Sequence, residues 1–171
     1  TGRSFPVSCV LAPIVRDGQA GGAVLVFRDI SERKQAEDVR RQTESILRQH
    51  QAALFGLTSN SIIQCGVLEP ALQEITRVAA ATLGVGRSSI WLLREDHSAI
   101  LCKSLYDVAT NAHSSGMELL AAQFPRYFRE VLTERVIDAS DARTDPRTSE
   151  FTDTYLTPLG ISAMLDIPIR F

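Results

Sequence analysis

Residues 88–108 read "SSIWLLREDHSAILCKSLYDV". Two apolar, β-rich runs, "SSIWLLRED" and "AILCKSLYDV", flank the short polar loop "EDHS", and this pattern predicts two strands joined as an antiparallel hairpin. Upstream of the hairpin, "LEPALQEITRVAAATLG" carries Leu68, Leu72, Ile75, Ala79 and Leu83 at helical spacing. Pro70 lies near its start and Gly84 just past its end, the asymmetry expected of a helix. Downstream, "FPRYFREVLTERV" puts Phe124, Tyr127, Phe128, Val131 and Leu132 on one helical face, with Pro125 in the first turn. "VIDASDARTDPRTSEF" is polar and turn-rich, which predicts a functional loop with a short helix from Thr148 to Leu156. "ISAMLDIPIRF" reads as a final strand. Helices alternating with strands over residues 60–171 predict an α/β (α+β) domain, and an additional strand with a covering helix is expected beyond Phe171.

Moving toward the N-terminus, residues 31–59 have neither Pro nor Gly until Gly56. Ser31 with Glu32 in the first turn predicts a helix start, the serine hydroxyl accepting from an exposed backbone N–H. Val39, Thr43, Ile46, His50, Ala53 and Leu57 repeat at alternating steps of four and three, the seam spacing of a coiled coil. Thr43 and His50 weaken that seam. Arg33, Lys34, Glu37, Asp38, Arg40, Arg41, Glu44 and Arg48 form a mixed-sign solvated face. A parallel dimeric coiled coil, hence a homodimer through the linker helix, is expected. A single connector helix is the plainer alternative.

Residues 1–30 hold two more β-rich runs, "FPVSCVLAPI" and "AVLVFRDI", around "RDGQAGG", where Asp17-Gly18 is a hairpin signal. Two strands and a turn cannot bury a core alone, so the rest of this sheet is expected upstream of Thr1. The first residue is Thr rather than Met, and the chain is expected to be a fragment.

Composition bounds the function. A hydrophobic content of 44% with 22% charged residues is that of a globular protein and argues against wholesale disorder. The net charge of −2 gives no basic footprint for nucleic acid. No apolar run approaches the roughly 20 residues that span a bilayer, so no membrane contact is expected. Cys9, Cys65 and Cys102 show no metal-ligand spacing, and each sits in an apolar context. Buried, inert thiols in a reducing cytoplasmic location are the expectation. No P-loop, Gly-rich kinase loop, nucleophile elbow or metal spacing occurs, so no catalytic residue is assigned.

"GRSFPVSCVLAPIVRDGQAGGAVLVFRDISERKQAE" closely resembles the C-terminal half of a PAS domain, the PAC motif. Asp29, Ile30, Ser31, Glu32, Arg33 and Lys34 match its Asp-Ile-Thr-Glu-Arg-Lys exit, with Ser for Thr. The third segment resembles a GAF domain through "LGVGRSSIWLL", "HSSGMELLAAQFPRYF", "DARTDPRTSEF" and "YLTPLGISAMLDIPIR". The two resemblances imply a partial PAS antiparallel sheet (1–30), a long linker helix (31–59) and a GAF-like central antiparallel sheet flanked by helices (60–171). They also imply a sensory input module of a bacterial signal-transduction protein. Its effector is expected to be a histidine kinase of a two-component system, with a diguanylate cyclase as the next alternative. A ligand-free GAF dimerisation scaffold is a further alternative.

In PAS proteins the aspartate of the exit stretch caps and tethers the helix that follows. The resemblance therefore assigns signal relay to Arg28, Asp29, Ile30 and Ser31, with Arg28 a competitor for the Asp29 carboxylate. It also implies a pocket for an unknown small molecule, with Tyr106, Asp107, Phe124, Tyr127, Phe128, Met164 and Asp166 as candidates. The aromatics would stack on a flat ligand while Asp107 or Asp166 orients it. For Phe128 and Met164, plain core packing is an equal reading. Asp166 is the most informative, because a carboxylate in "AMLDIPI" must be paired, hydrogen-bonded or at a pocket wall. The cofactor is unknown: no motif supports haem, flavin, a bilin on Cys102 or a cyclic nucleotide. His50 reads as a polar seam position, and His97 and His113 as exposed loop residues.

Overall fold

The computed structural model describes residues 4–16 and 19–170. Contacts divide the chain into two units, Thr1–Gly56 and Leu57–Phe171.

In the first unit, β1 (Val7–Arg16) and β2 (Gln19–Asp29) pair antiparallel from Val7↔Asp29 through Cys9↔Phe27, with an irregularity between Ile14 and Val15. The Asp17-Gly18 turn signal lies outside the described residues. Val10, Leu11, Val26 and Phe27 are all exposed. Cys9 is exposed as well, contrary to the expectation of a buried thiol, because a two-stranded ribbon has no second layer to cover it. Helix α1 (Ser31–Thr58) starts two residues after the last strand residue. The Ser31 N–H donates to Asp29 Oδ1 at 2.8 Å, and the Ile30 N–H donates to the Pro6 carbonyl at 3.1 Å. Ser31 is thus the first helical residue rather than the cap, and Asp29 satisfies the open N–H in its place. The Ser31 hydroxyl and N–H together hold the Asp29 carboxyl below the ordinary range. Along α1, Arg41 meets Glu37 at 2.7 Å and Arg40 meets Glu44 at 3.4 Å, the i,i+4 pairs of a solvated helix face. No residue of α1 is buried, and Val39, Ile46, Leu47 and Leu54 are exposed.

The second unit is mixed helix and antiparallel sheet, as expected. Asn60 caps the short α2 (Ser61–Gln64) by accepting from the Ile62 N–H at 2.9 Å, and its amide reaches Glu74 at 3.1 Å. Cys65, just beyond, is exposed and not buried, its thiol donating to the Ile62 carbonyl at 3.1 Å. Helix α3 (Leu68–Leu83) ends at Gly84, whose φ of 65° is the left-handed conformation that glycine adopts without penalty. Its buried face presents Thr76 and Ala80, and the Thr76 and Ser104 hydroxyls bond at 3.1 Å, which fixes α3 on the sheet.

The hairpin at 88–108 supplies β3 (Arg87–Leu93), at the edge of that sheet, and β4 (Ala99–Asp107), its centre. Two short strands pair with opposite halves of β4: β5 (Ala112–Ser114) and β6 (Glu118–Leu120). His113 therefore lies in a strand opposite Tyr106, not in a loop; three-residue strands are too brief for alternation to register in a sequence. The register of β3 with β4 steps from Ile90↔Ser104 to Trp91↔Cys102, leaving Lys103 as an extra residue. This bulge switches the parity of β4, so Ile100 and Leu105 reach the same face although they are five positions apart.

Helix α4 (Pro125–Thr133) buries Phe124, Tyr127 and Phe128, while Val131 is half-buried and Leu132 turns to solvent, narrowing the expected apolar face. Strands β7 (Ile137–Ala139) and β8 (Met164–Asp166) pair antiparallel, so the final run "ISAMLDIPIRF" contributes three residues of strand. The expected helix at Thr148–Leu156 is present as a 3₁₀ turn, Ser149–Phe151, running into a π turn, Thr152–Leu156. The core gathers Ile100, Ile137, Ala139, Ala142, Phe151 and Leu156 with the three aromatics of α4.

Candidate functional site

A cavity of about 720 Å³ opens in the second unit between the β3–β4 sheet and the elements that follow it. That volume falls within the range of small-molecule sites. Arg87, Ser89 and Trp91, alternating along β3, line the sheet side together with Ile100, Leu105 and Asp107 of β4. The opposite wall comes from Tyr127, from Phe151 and Tyr155 of the 3₁₀–π turn, and from the run Leu159–Asp166. Gly160, at φ 67°, turns the chain into that run.

Four aromatic rings run in sequence from the opposite wall to the sheet. Tyr127 meets Phe151 at 4.6 Å between ring centres, Phe151 meets Tyr155 at 6.1 Å, and Tyr155 meets Trp91 at 6.5 Å. The Tyr127–Phe151 and Tyr155–Trp91 pairs pack edge to face, the arrangement the ring quadrupoles favour. Phe151 and Tyr155 are four residues apart, yet the turn carrying them is not α-helical. A π turn sets five residues to the hydrogen-bonded ring and re-aims side chains, a feature frequent at functional sites.

Two polar pairs interrupt the apolar lining. Arg87 Nε donates to Asp107 Oδ2 at 2.6 Å, and an Arg87 terminal nitrogen donates to the Leu159 carbonyl, joining the sheet to the opposite wall. Asp107 Oδ1 accepts from the Ala109 N–H at 2.9 Å and the Thr110 N–H at 3.3 Å. The Arg87 hydrogen bond is the largest influence holding the Asp107 carboxyl below the ordinary range. The second pair is Tyr127 and Asp166: the tyrosine hydroxyl donates to Asp166 Oδ2 at 2.9 Å. Burial pushes the Asp166 carboxyl up, opposed by the Tyr127 bond. Burial first, and the neighbouring Asp166 charge second, raise the Tyr127 hydroxyl far above its usual value. The Trp91 ring N–H is taken by Ser89 Oγ at 2.9 Å.

Of the residues singled out from sequence, Asp107, Tyr127, Met164 and Asp166 meet at this cavity. Tyr106 lies elsewhere, its hydroxyl bonded to Asn111 at 2.7 Å and its ring 4.8 Å from His113. Phe124 and Phe128 are buried in the core, the Phe124 ring tilted against Phe151 at 4.4 Å between centres. Arg87, Trp91, Phe151 and Tyr155 are wall residues that the sequence reading passed over. The alternation of Arg87, Ser89 and Trp91 on one strand face was the available signal. Among the described residues no cluster of His, Cys, Asp or Glu could hold a metal ion. Cys102 is buried and its thiol is pushed up by that burial, the reverse of a reactive thiolate.

A sheet with a helix on one face and an open, mostly apolar cavity on the other has the geometry of a small-molecule-binding domain. The GAF domain family matches residues 67–171, and the chain belongs to that family. GAF domains are sensory and regulatory modules that bind small ligands. No curated protein and no solved structure matches the chain. No helix among the described residues is long and apolar enough to cross a membrane.

Proposed function

We propose that this chain is the sensory part of a bacterial signal-transduction protein, in which the GAF cavity binds a small molecule and α1 relays the bound state. In this reading residues 1–30 close a PAS domain as its PAC motif. Residues 31–59 form a parallel, two-stranded coiled coil in a cytoplasmic homodimer, and the effector is a histidine kinase. The observation that carries the proposal is the tether at Asp29. The Asp29 carboxylate lies 2.8 Å from the Ser31 N–H, beside the Ile30 N–H bond to the Pro6 carbonyl, and in this reading the carboxylate bond is the one that a signal makes or releases. The exposed apolar residues Val39 and Ile46 of α1 supply a surface for a second copy. Arg28, Ile30 and Ser31 flank the tether, and a shift of the hairpin would reach α1 through them.

The test is disulfide cross-linking of Ala53→Cys dimers in a Cys9→Ser/Cys65→Ser background, with and without any small molecule that raises the melting temperature. A stabilising ligand must favour the state it binds. The relay predicts that the cross-linking rate changes with the ligand. An unchanged rate for every stabilising ligand leaves a GAF sensor but removes α1 as its relay.

A further inference from the structure

Resting on the reading of α1 as a relay, we infer that Asn60 is a positioning residue at the far end of that relay. Its side chain ties the last turn of α1 to α3 through Glu74. Three observations converge on this joint.

The first is how α1 ends. Leu57 and Thr58, its last residues, belong to the second unit. Their carbonyls accept from the Asn60 N–H at 3.2 Å and from Gln64 Nε2 at 3.1 Å. Gly56 precedes them, and glycine is the least favourable helix residue after proline. An added Cβ there would meet nothing within 4 Å, so no close approach demands a glycine. The last turn is weak in itself and gains from an outside hold.

The second is the double use of the Asn60 amide. Oδ1 accepts from the Ile62 N–H at 2.9 Å and caps α2, while Nδ2 donates to Glu74 Oε1 at 3.1 Å. A cap needs only an oxygen, which aspartate or serine supplies as well as asparagine. Asparagine adds a donor beside that acceptor, and the bond to α3 uses it.

The third is the acceptor. Arg77 holds the Glu74 carboxylate through Nε at 2.9 Å and a terminal nitrogen at 2.8 Å, and the Glu74 side chain is only 16% exposed. The Arg77 bond is the largest influence keeping this carboxyl below the ordinary range. Two positions further along α3, Thr76 bonds Ser104 of β4, the strand that brings Ile100, Leu105 and Asp107 to the cavity. A shift of β4 would move α3, and with it the acceptor that Asn60 holds.

The experiment is pulsed dipolar electron resonance between chains labelled at Gln51→Cys in a Cys9→Ser/Cys65→Ser background, which reads order near the end of α1. Hydrogen exchange at the Ile62 amide reads the α2 cap separately. The parent is expected to give one narrow interchain peak. Asn60→Asp keeps the capping oxygen but sets a carboxylate against Glu74. It is expected to replace the peak by a broad distribution while Ile62 exchange stays within about twofold of the parent. Asn60→Ala is expected to broaden the peak and also to speed Ile62 exchange about fivefold, the loss of a cap. Glu74→Gln keeps an oxygen for Asn60 and is expected to retain the peak. Glu74→Ala leaves the Asn60 cap untouched and is expected to lose the peak, so a poorly folded Asn60 variant does not blunt the test. A peak as narrow as the parent's in Glu74→Ala or Asn60→Asp overturns the inference, leaving Asn60 a cap and α1 a paired helix. No interchain signal in the labelled parent overturns the relay reading and this inference with it.

Discussion

Two carboxylates at the cavity are tuned in opposite directions by their neighbours. Asp107 is held down by Arg87, whereas burial pushes Asp166 up. A carboxyl with a raised pKa in the folded state favours folding when protonated. Its contribution therefore falls as pH rises from the ordinary aspartate value through the raised one. A carboxyl with a lowered pKa contributes above the ordinary value and loses that contribution as pH falls through the lowered one. The two substitutions should accordingly show opposite pH signatures in urea unfolding. Relative to the parent, Asp166→Asn gains stability as pH rises above the ordinary aspartate value, by at most about 1.4 kcal/mol per pH unit for one proton. Asp107→Asn loses least at low pH and most near neutrality. Parallel curves for the two variants would show that the environments are not as described. Asp166 was legible in the sequence because a carboxylate within "AMLDIPI" demands a partner. Arg87 was not, because an arginine at a strand end looks like a solvated flank until pairing with β4 places Asp107 opposite it.

At the scale of elements, long periodic segments could be read directly and short ones could not. Helix α3 spans Leu68–Leu83 with its left-handed glycine at Gly84, as the apolar spacing and the terminal glycine indicate. The β3–β4 hairpin likewise follows from two apolar runs around a polar loop. Strands β5 and β6 are three residues each and are defined only by their pairing with β4. The bulge at Lys103 is likewise a property of register, not of composition. The start of α4 is another case. Phe124 supplies no side-chain cap, and the Arg126 and Tyr127 N–H groups instead donate to Glu150 Oε2 at 2.9 and 3.1 Å. A carboxylate at a helix N-terminus satisfies open donors and meets the positive end of the dipole. Since α4 carries Tyr127 to the cavity, Glu150→Ala should cost about 1 kcal/mol, the worth of a cap. It should also speed hydrogen exchange at the Arg126 and Tyr127 amides. Unchanged exchange at those two amides would show that Glu150 does not hold the helix start.

At the scale of the whole molecule, the account joins an exposed hairpin, a helix of 28 residues with no buried position and a GAF domain. Seam residues Val39, Thr43 and Ile46 are exposed, while His50, Ala53 and Leu57 are half-buried. A helix of this length without buried positions depends on packing for most of its stability, and in the proposed dimer a second copy of the same seam would supply it. The central claim is that α1 is a rigid, paired rod starting at Asp29. Pulsed dipolar electron resonance on Gln49→Cys, spin-labelled in a Cys9→Ser/Cys65→Ser background, measures this directly. The account predicts one narrow interchain distance peak, which broadens when Asp29 is replaced by Ala. A broad distribution or no interchain dipolar signal in the labelled parent protein would contradict it.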